Sequence, residues 1–141
     1  MIIKQLSIFL EDKSGRLTEL TKILTENDIN ITALSIADAA DYGIIRMVVG
    51  RPELAMKVLK EKGFSVHLTD VACFVVPNKA GGLYHALKIL ADNNINIDYM
   101  YAFAIQDSAS IVIRSASISD VIDVLQKNKL ELLKQSQIYQ L

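Results

Sequence analysis

The sequence predicts an α+β protein that contains two consecutive copies of one unit, because two segments recur at the same spacing. Residues 14–17 (Ser-Gly-Arg-Leu) return as residues 80–83 (Ala-Gly-Gly-Leu), and residues 28–31 (Asp-Ile-Asn-Ile) return as residues 94–97 (Asn-Ile-Asn-Ile). The offset is 66 residues in both cases (80 − 14 and 94 − 28), and no insertion is needed between them. A fixed offset of this kind indicates a duplicated domain rather than two similar helices.

The first copy shows the order strand, helix, strand, strand, helix, strand. Leu17, Leu20 and Ile23 recur at helical spacing. Pro52 suits the first turn of a second helix, and Gly63 ends that helix. The expected elements are a strand at 6–10, a helix from Leu17 to Asn27, an extended run at 29–37, a strand at 44–49 paired with it as a hairpin, a helix from Pro52 to Gly63 and a strand at 64–68.

The second copy repeats this order. Ser119 is the expected N-cap of its second helix, at the place where the first copy has Pro52. Residues 64–77 form a nearly continuous β-like stretch, so we expect the copies, residues 1–70 and 71–141, to be held side by side rather than loosely tethered. The expected elements are strands at 71–76, 95–105 and 110–114, helices at 83–93 and 119–128, and a tail strand within 130–139.

This order is typical of a split βαβ sandwich, in which two helices cover one face of a four-stranded antiparallel sheet. The opposite face is then open, and large aromatic side chains on it are a candidate association interface. The alternative is that these side chains face the helices and belong to the core. The positions concerned are Ala33, Ser35 and Ala37 in the first copy and Tyr99, Tyr101 and Phe103 in the second.

Composition excludes several function classes. The chain has 141 residues, 51% hydrophobic and 22% charged, with a net charge of −1. Scattered basic residues give no electrostatic footprint for nucleic acid or an anionic membrane. A single cysteine, Cys73, excludes an internal disulfide and a Cys-pair metal site, and its apolar neighbours predict a buried residue. The N-terminus lacks signal-peptide features and no apolar run is long enough to span a membrane, so we expect a cytoplasmic protein.

No catalytic, cofactor or metal site is visible in the sequence. His67 and His85 stand outside any Cys/His or Ser/His/Asp arrangement, and the carboxylates do not converge. Arg16 would suit a phosphate-binding loop, but its equivalent in the second copy is Gly82. We therefore expect no cofactor, no metal and no enzymatic activity.

The loop between the first strand and the first helix, with the Ile-Asn-Ile that follows the helix, resembles the ACT domain, a small regulatory module that senses amino acids. The motif is residues 11–17 (Glu-Asp-Lys-Ser-Gly-Arg-Leu) with 27–31 in the first copy, and 77–83 (Pro-Asn-Lys-Ala-Gly-Gly-Leu) with 93–97 in the second. The resemblance covers essentially the whole chain and implies two ferredoxin-like βαββαβ (ACT-like) sandwiches in tandem. ACT members often carry proline before the loop glycine, where serine and alanine stand here.

The resemblance implies that an α-amino acid binds at the interface of paired ACT units, lined by these loops. The amides that open the helix after Gly15 or Gly81 suit a carboxylate. Asp12 or Asn78 could accept from the ammonium, Asp12 more strongly because it is charged. The alternative is that the glycines only make turns and the asparagines only connect helix to strand. The candidate ligand-binding residues are Glu11, Asp12, Ser14, Gly15, Arg16, Leu17, Asn30 and Ile31 in the first copy, and Asn78, Lys79, Ala80, Gly81, Gly82, Leu83, Asn96 and Ile97 in the second.

The resulting hypothesis is a stand-alone, non-enzymatic, homodimeric sensor. It would bind an amino acid or related metabolite and regulate a separate enzyme or regulator by a shift between conformations. The first alternative is a ligand-free association module or a subunit of an amino-acid-metabolising enzyme complex, and the second is an unrecognised small enzyme. Because the loop polar residue differs between the copies, we expect two unequal ligand sites.

Overall fold

A computed structural model describes residues 1–11, 13–38 and 41–139. Seven strands and five helices are present in this part of the chain, in the order that the sequence predicted for both copies, and the α+β class is confirmed. The strands are β1 (Ile3–Glu11), β2 (Ile31–Asp38), β3 (Tyr42–Val49), β4 (Ser65–Pro77), β5 (Tyr99–Ile105), β6 (Ser108–Arg114) and β7 (Glu131–Leu132), and the helices are α1 (Arg16–Glu26), α2 (Pro52–Glu61), α3 (Gly82–Asp92), α4 (Ile118–Lys127) and α5 (Gln135–Ile138).

The chain divides into two compact units, and each unit includes a short terminal segment from the opposite end of the sequence. The N-terminal unit contains Lys4–Thr69 and the segment that begins at Ile138. The C-terminal unit contains Asp70–Gln137 and Met1–Ile3. Strand β4 is continuous, and its residues up to Thr69 belong to the N-terminal unit while the rest belong to the C-terminal unit.

In the N-terminal unit the strand order is β2-β3-β1-β4. Strand β3 is antiparallel to both neighbours, so Met47 lies opposite Leu6 on one side and Leu34 on the other. Helices α1 and α2 cover the face that carries Met47, because both present an apolar stripe at helical spacing. The fully buried side chains of this core include Leu6, Ile8, Leu20, Leu24, Ile45, Met47, Ala55 and Leu59.

In the C-terminal unit the order is β7-β4-β6-β5, and α3 and α4 cover one face. Cys73 is buried, as the sequence predicted, and burial raises the pKa of its thiol to about 12. Among the described residues, no helix is both long and apolar enough to span a membrane. The buried side chains of this core include Ala72, Phe74, Val76, Ala86, Leu90, Ile111, Ile113, Val121 and Leu125.

Two local predictions in the second copy are wrong. The strand predicted from Ile95 begins at Tyr99, because Ser115 Oγ donates to the Asn96 carbonyl (2.8 Å) where a ladder partner would otherwise stand. In the first copy the equivalent carbonyl of Asn30 accepts from the Gly50 amide (3.1 Å).

The predicted N-cap also differs, whereas a tail strand does lie within residues 130–139, as predicted. Helix α4 is capped at Ser117 rather than Ser119, without a side-chain capping hydrogen bond. The tail forms only the two-residue β7 and then the short α5, because the Gln137 side chain accepts from the Lys134 amide (2.8 Å) and closes a helical turn.

The face opposite the helices carries the predicted aromatic residues. Tyr101 pairs with Val112 and Phe103 with Ser110, whereas Met100 pairs with the core residue Ile113. Directly opposed residues share a face, so the alternative in which these aromatic residues face the helices is wrong. Tyr99, Tyr101 and Phe103 are half-buried there, and in the N-terminal unit Ala33, Ser35 and Ala37 likewise lie opposite the helices.

Candidate functional site

The loop before α1 places a left-handed glycine at the start of the helix. Gly15 has φ = 86° and takes the N-cap position without any side-chain capping hydrogen bond, a conformation that glycine adopts without a Cβ penalty. The Glu19 amide donates to the Gly15 carbonyl (2.9 Å). In the part of the chain that the structure describes, the Leu17 and Thr18 amides have no acceptor, so they remain available to an anion.

The loop before α3 repeats this backbone. Gly81 has φ = 91°, and the His85 amide donates to its carbonyl (3.0 Å). The next residue, Gly82, is buried, and a Cβ at that position would overlap the carbonyl oxygen of Pro77. The Asn78 side chain donates to the Gln106 carbonyl (2.9 Å), which holds this loop against the turn between β5 and β6.

A cavity of about 180 Å³ lies beside the first of these loops, at the end of β1. It is bounded by Tyr42 at the start of β3 and by the connection between α2 and β4. Two of the predicted ligand residues, Glu11 and Arg16, line it. The other lining residues are Phe9, Leu10, Tyr42, Gly63, Phe64 and Ser65.

The charges at this cavity are arranged in two ion pairs. Lys13 Nζ lies 3.0 Å from Glu11 Oε2. This hydrogen bond, with the charges of Lys13 and Arg16, holds the pKa of Glu11 below its usual value. Arg16 Nη1 lies 2.9 Å from Glu19 Oε2, and the guanidinium stacks on the Phe64 ring at 4.2 Å. The buried Nε of Arg16 has no hydrogen-bond partner among the described residues.

A second cavity, of about 380 Å³, lies at the equivalent place in the C-terminal unit. Its lining residues Val75, Val76 and Pro77 correspond to Phe9, Leu10 and Glu11 at the offset of 66 residues. Three changes remove the charged and bulky groups of the first cavity from their positions: Pro77 replaces Glu11, Gly82 replaces Arg16 and Ser108 replaces Tyr42. The charged residues that line the second cavity, Asp107, Lys129 and Glu131, stand at other positions. The two cavities therefore share a position but not a chemistry.

The predicted residues of one copy do not all come together within that copy. Asn30 and Ile31 follow α1, whereas Gly15 precedes it, and the 11 residues of α1 put about 16 Å between the two ends. The same separation by α3 holds for Asn96 and Ile97. The predicted ammonium acceptor Asp12 lies outside the described residues. The role of all these residues as ligand contacts stays a prediction.

Sequence reasoning missed an exposed aromatic group on the open face of the N-terminal unit. Phe9 and Tyr42 are 46% and 42% exposed, and their ring centroids lie 5.5 Å apart in an edge-on arrangement. His67 adds a third ring, 6.4 Å from Phe9. These residues come from β1, β3 and β4, whereas the sequence comparison considered only the second strand of each copy. The alternation of side chains between the two faces of these three strands was the sequence signal that could have identified this aromatic group.

Comparison with known proteins decides the family. The model for the ACT domain pair matches residues 1–141. The chain belongs to the ACT domain pair family. The predicted resemblance and the tandem ferredoxin-like architecture are thereby confirmed. No curated protein matches the chain.

Solved structures show the same fold. Protein BT0572 from Bacteroides thetaiotaomicron is 46% identical, with a TM-score of 0.97, over 100% of this chain and 98% of that one. The ligand-free regulatory subunit of aspartate kinase from Thermus thermophilus is 13% identical, with a TM-score of 0.68, over 88% of this chain and 90% of that one. The aspartate kinase regulatory subunit from Thermus flavus is 14% identical, with a TM-score of 0.60, over 89% and 92% of the two chains.

Proposed function

We propose that this ACT pair is a non-enzymatic sensor that binds an α-amino acid, or a related small metabolite, at the cavity beside the β1–α1 loop and regulates a separate partner protein. The observation that supports this most is the juxtaposition of Glu11 and Arg16 at one cavity. An α-amino acid carries one ammonium and one carboxylate, and the cavity offers one group for each. The names of the Thermus relatives, regulatory subunits of aspartate kinase, are in keeping with an enzyme as partner.

Each group has a physical reason to act as proposed. Glu11 is ionised at neutral pH, as the neighbouring cations lower its pKa further, and it can accept from an ammonium. The Arg16 guanidinium is held in place by Glu19 and Phe64, yet its Nε has no partner. The free amides of α1 add donors for a carboxylate. A cavity of about 180 Å³ is below the range typical of drug-sized ligands, as suits a smaller molecule.

The proposal makes the two copies unequal. The C-terminal cavity is larger and lacks the equivalents of Glu11 and Arg16, because Pro77 and Gly82 stand at those places. Its carboxylates, Asp107 and Glu131, come from other positions, and it has an ammonium, Lys129, instead of a guanidinium. We expect the N-terminal unit to bind the amino acid with higher affinity. Asn30 can contact this ligand only from another ACT unit, such as one in a second copy of the chain.

Thermal-shift measurements with each of the twenty amino acids test the proposal. A ligand at 100 times its Kd stabilises the folded state by ~2.7 kcal/mol. Arg16→Gln and Glu11→Gln should each reduce the shift strongly, because each removes one charge that faces the ligand. Lys22→Gln is the matched control, since Lys22 is an exposed cation on the same helix whose contact is Glu26 at 3.8 Å.

Two results would contradict the proposal. One is the absence of a shift with all twenty amino acids at 10 mM or above. The other is a shift of unchanged size in both cavity variants, which would move the site elsewhere.

Association without a ligand is a second candidate function, favoured by the exposed rings of Phe9 and Tyr42. Phe9→Lys should then lower the molar mass measured by light scattering. Tyr84→Lys is the control, because Tyr84 is 69% exposed on α3. Tyr101→Lys tests the predicted interface of the C-terminal unit in the same assay. An unchanged mass in the Phe9 and Tyr101 variants would exclude both surfaces.

A further inference from the structure

A cavity of about 340 Å³ opens in the C-terminal unit where α3 ends and α4 begins. It lies away from the loop before α3, at the other end of that helix, and its volume is in the range of small-molecule sites. The walls are polar and mostly acidic, with three carboxylates and one ammonium. The lining residues that matter here are Asn94, Asp98, Ser117, Asp120, Asp123 and Lys127.

In the N-terminal unit the equivalent place is filled by the protein itself. Arg51 Nη2 donates to the carbonyl oxygens of Asn27 and Asp28, at 2.6 Å in each case. These two residues form the turn that ends α1, and Arg51 immediately precedes α2. The guanidinium thus joins the end of one helix to the start of the other. Both carbonyls lie at the helix C-terminus, where a cation is favoured.

The C-terminal unit keeps the acceptor turn but lacks the donor. Asn93 has φ = −102° and ψ = 17°, close to the −103° and 12° of Asn27. Asn94 has φ = 58°, close to the 54° of Asp28. The residue equivalent to Arg51 is Ser117 at the same offset of 66 residues, and in the described part of the chain no side chain donates to the Asn93 and Asn94 carbonyls.

The side chains that line this cavity carry more negative charge than their equivalents in the N-terminal unit. Asp98, Asp120 and Asp123 stand where the N-terminal unit has threonine, leucine and lysine. Two lining positions change in the opposite direction, since Lys127 replaces Glu61 and Asn94 replaces Asp28, but the net change is negative. The last turn of α3 contains no basic residue. Asp120 also lies in the first turn of α4, where a carboxylate stabilises a helix. Among the described residues, no group of carboxylates is arranged to hold a metal ion.

We propose that this cavity binds a guanidinium group from another molecule, in the position that Arg51 occupies in the N-terminal unit. The two turn carbonyls accept its N–H groups, and the surrounding aspartates provide the negative field. A planar cation with several donors suits two carbonyls and dispersed carboxylates better than a compact ion does. The donor is either a free small cation or an arginine side chain of a protein. This inference does not depend on the proposed amino-acid site.

Calorimetric titration of the whole chain tests the inference with three probes. N-acetyl-L-arginine amide represents an arginine residue, agmatine represents a free cation, and N-acetyl-L-citrulline amide is the neutral isostere. We expect a guanidinium probe to bind with a Kd of roughly 1 mM or below, as for a ligand of about fifteen non-hydrogen atoms. The citrulline probe should show no heat of binding. The guanidinium probe that binds with the lower Kd indicates whether the donor is an arginine side chain of a protein or a free small cation.

Variants of both copies sharpen the test. Ser117→Arg should abolish binding, because the new side chain can occupy the cavity as Arg51 does. Asp120→Asn with Asp123→Asn should weaken binding by about fivefold or more, as two partly exposed charge pairs are lost. Glu53→Gln with Glu61→Gln removes two carboxylates from α2 and should leave the Kd unchanged.

The reverse substitution, at Arg51 in the N-terminal unit, provides an independent test. Arg51→Ser frees the two turn carbonyls of the N-terminal unit, where threonine, leucine and lysine stand in place of the aspartates. A second probe should then bind per chain, but more weakly than the first. Equal binding of the citrulline probe would overturn the inference. So would an unchanged Kd in both the Ser117→Arg and the double aspartate variant, or no binding of either guanidinium probe at 20 mM.

Discussion

Gly82 should tolerate alanine less well than its neighbour Gly81, although backbone conformation alone predicts the opposite ranking. Gly81 has φ = 91°, so Gly81→Ala forces a left-handed conformation at a cost of about 1–2 kcal/mol. A Cβ at that position has nothing within 4 Å. Gly82 lies in the first turn of α3, where alanine is favoured over glycine by up to about 1 kcal/mol.

Steric overlap makes the Gly82→Ala substitution destabilising, although helix propensity alone would make it stabilising. The added Cβ would overlap the Pro77 carbonyl oxygen and lie 3.3 Å from its carbonyl carbon. Both atoms belong to the backbone at the end of β4, so the strand end or the helix must move. Overpacking of this kind costs typically 1–3 kcal/mol, and a clash with backbone belongs at the upper end. We expect Gly82→Ala to lose about 3 kcal/mol and Gly81→Ala about 1 kcal/mol.

Urea denaturation followed by circular dichroism measures this difference. In thermal unfolding followed by the same signal, at roughly 4 °C per kcal/mol, the melting temperature should fall by about 12 °C for Gly82→Ala and about 4 °C for Gly81→Ala. A Gly82→Ala variant as stable as wild type, or more stable than Gly81→Ala, would refute the steric reasoning.

Four further outcomes are expected. Arg51→Ala should destabilise the protein by about 2 kcal/mol because two charge-assisted hydrogen bonds are lost, and Arg51→Lys should recover less than half of this in the same urea assay. Cys73 should resist iodoacetamide at pH 8 in the native state and react at the rate of unfolding; faster labelling would contradict its burial. The raised pKa of Cys73 also predicts stability that is present below pH 9 and lost as the pH rises from 9 towards 12. Tyr139→Phe removes the acceptor of the Lys4 amide, 2.9 Å away, and should cost about 1 kcal/mol of unfolding free energy.

The repeat and its periodicity were sufficient to predict the order of elements, because each strand and helix has its own apolar spacing. They failed after Asn96, where one serine side chain replaces a ladder hydrogen bond. Such a substitution leaves no trace in hydrophobic periodicity. The tail strand was predicted, but the helix α5 that follows it was not, because a glutamine side chain determines whether that backbone turns.

The candidate sites were predictable only in part, for a different reason. Glu11 and Arg16 are close in sequence, and the loop motif pointed to both. Their cavity also needs Tyr42 and Phe64, which arrive from distant segments. The exchange of Arg51 for Ser117 was visible in the aligned copies. Its structural consequence could be recognised only from the 2.6 Å hydrogen bonds that Arg51 makes in the folded chain.

The exchanged chain ends also affect the order in which the protein can fold during synthesis. Ile138 is buried in the N-terminal unit, and its carbonyl accepts from the Thr32 hydroxyl (3.1 Å). More than a hundred residues separate these partners, so the contact closes only after the entire second copy has left the ribosome. Domains of nascent chains generally fold from the N-terminus first. Here the first copy to be made is completed last, and a stalled chain would expose the place where Ile138 belongs.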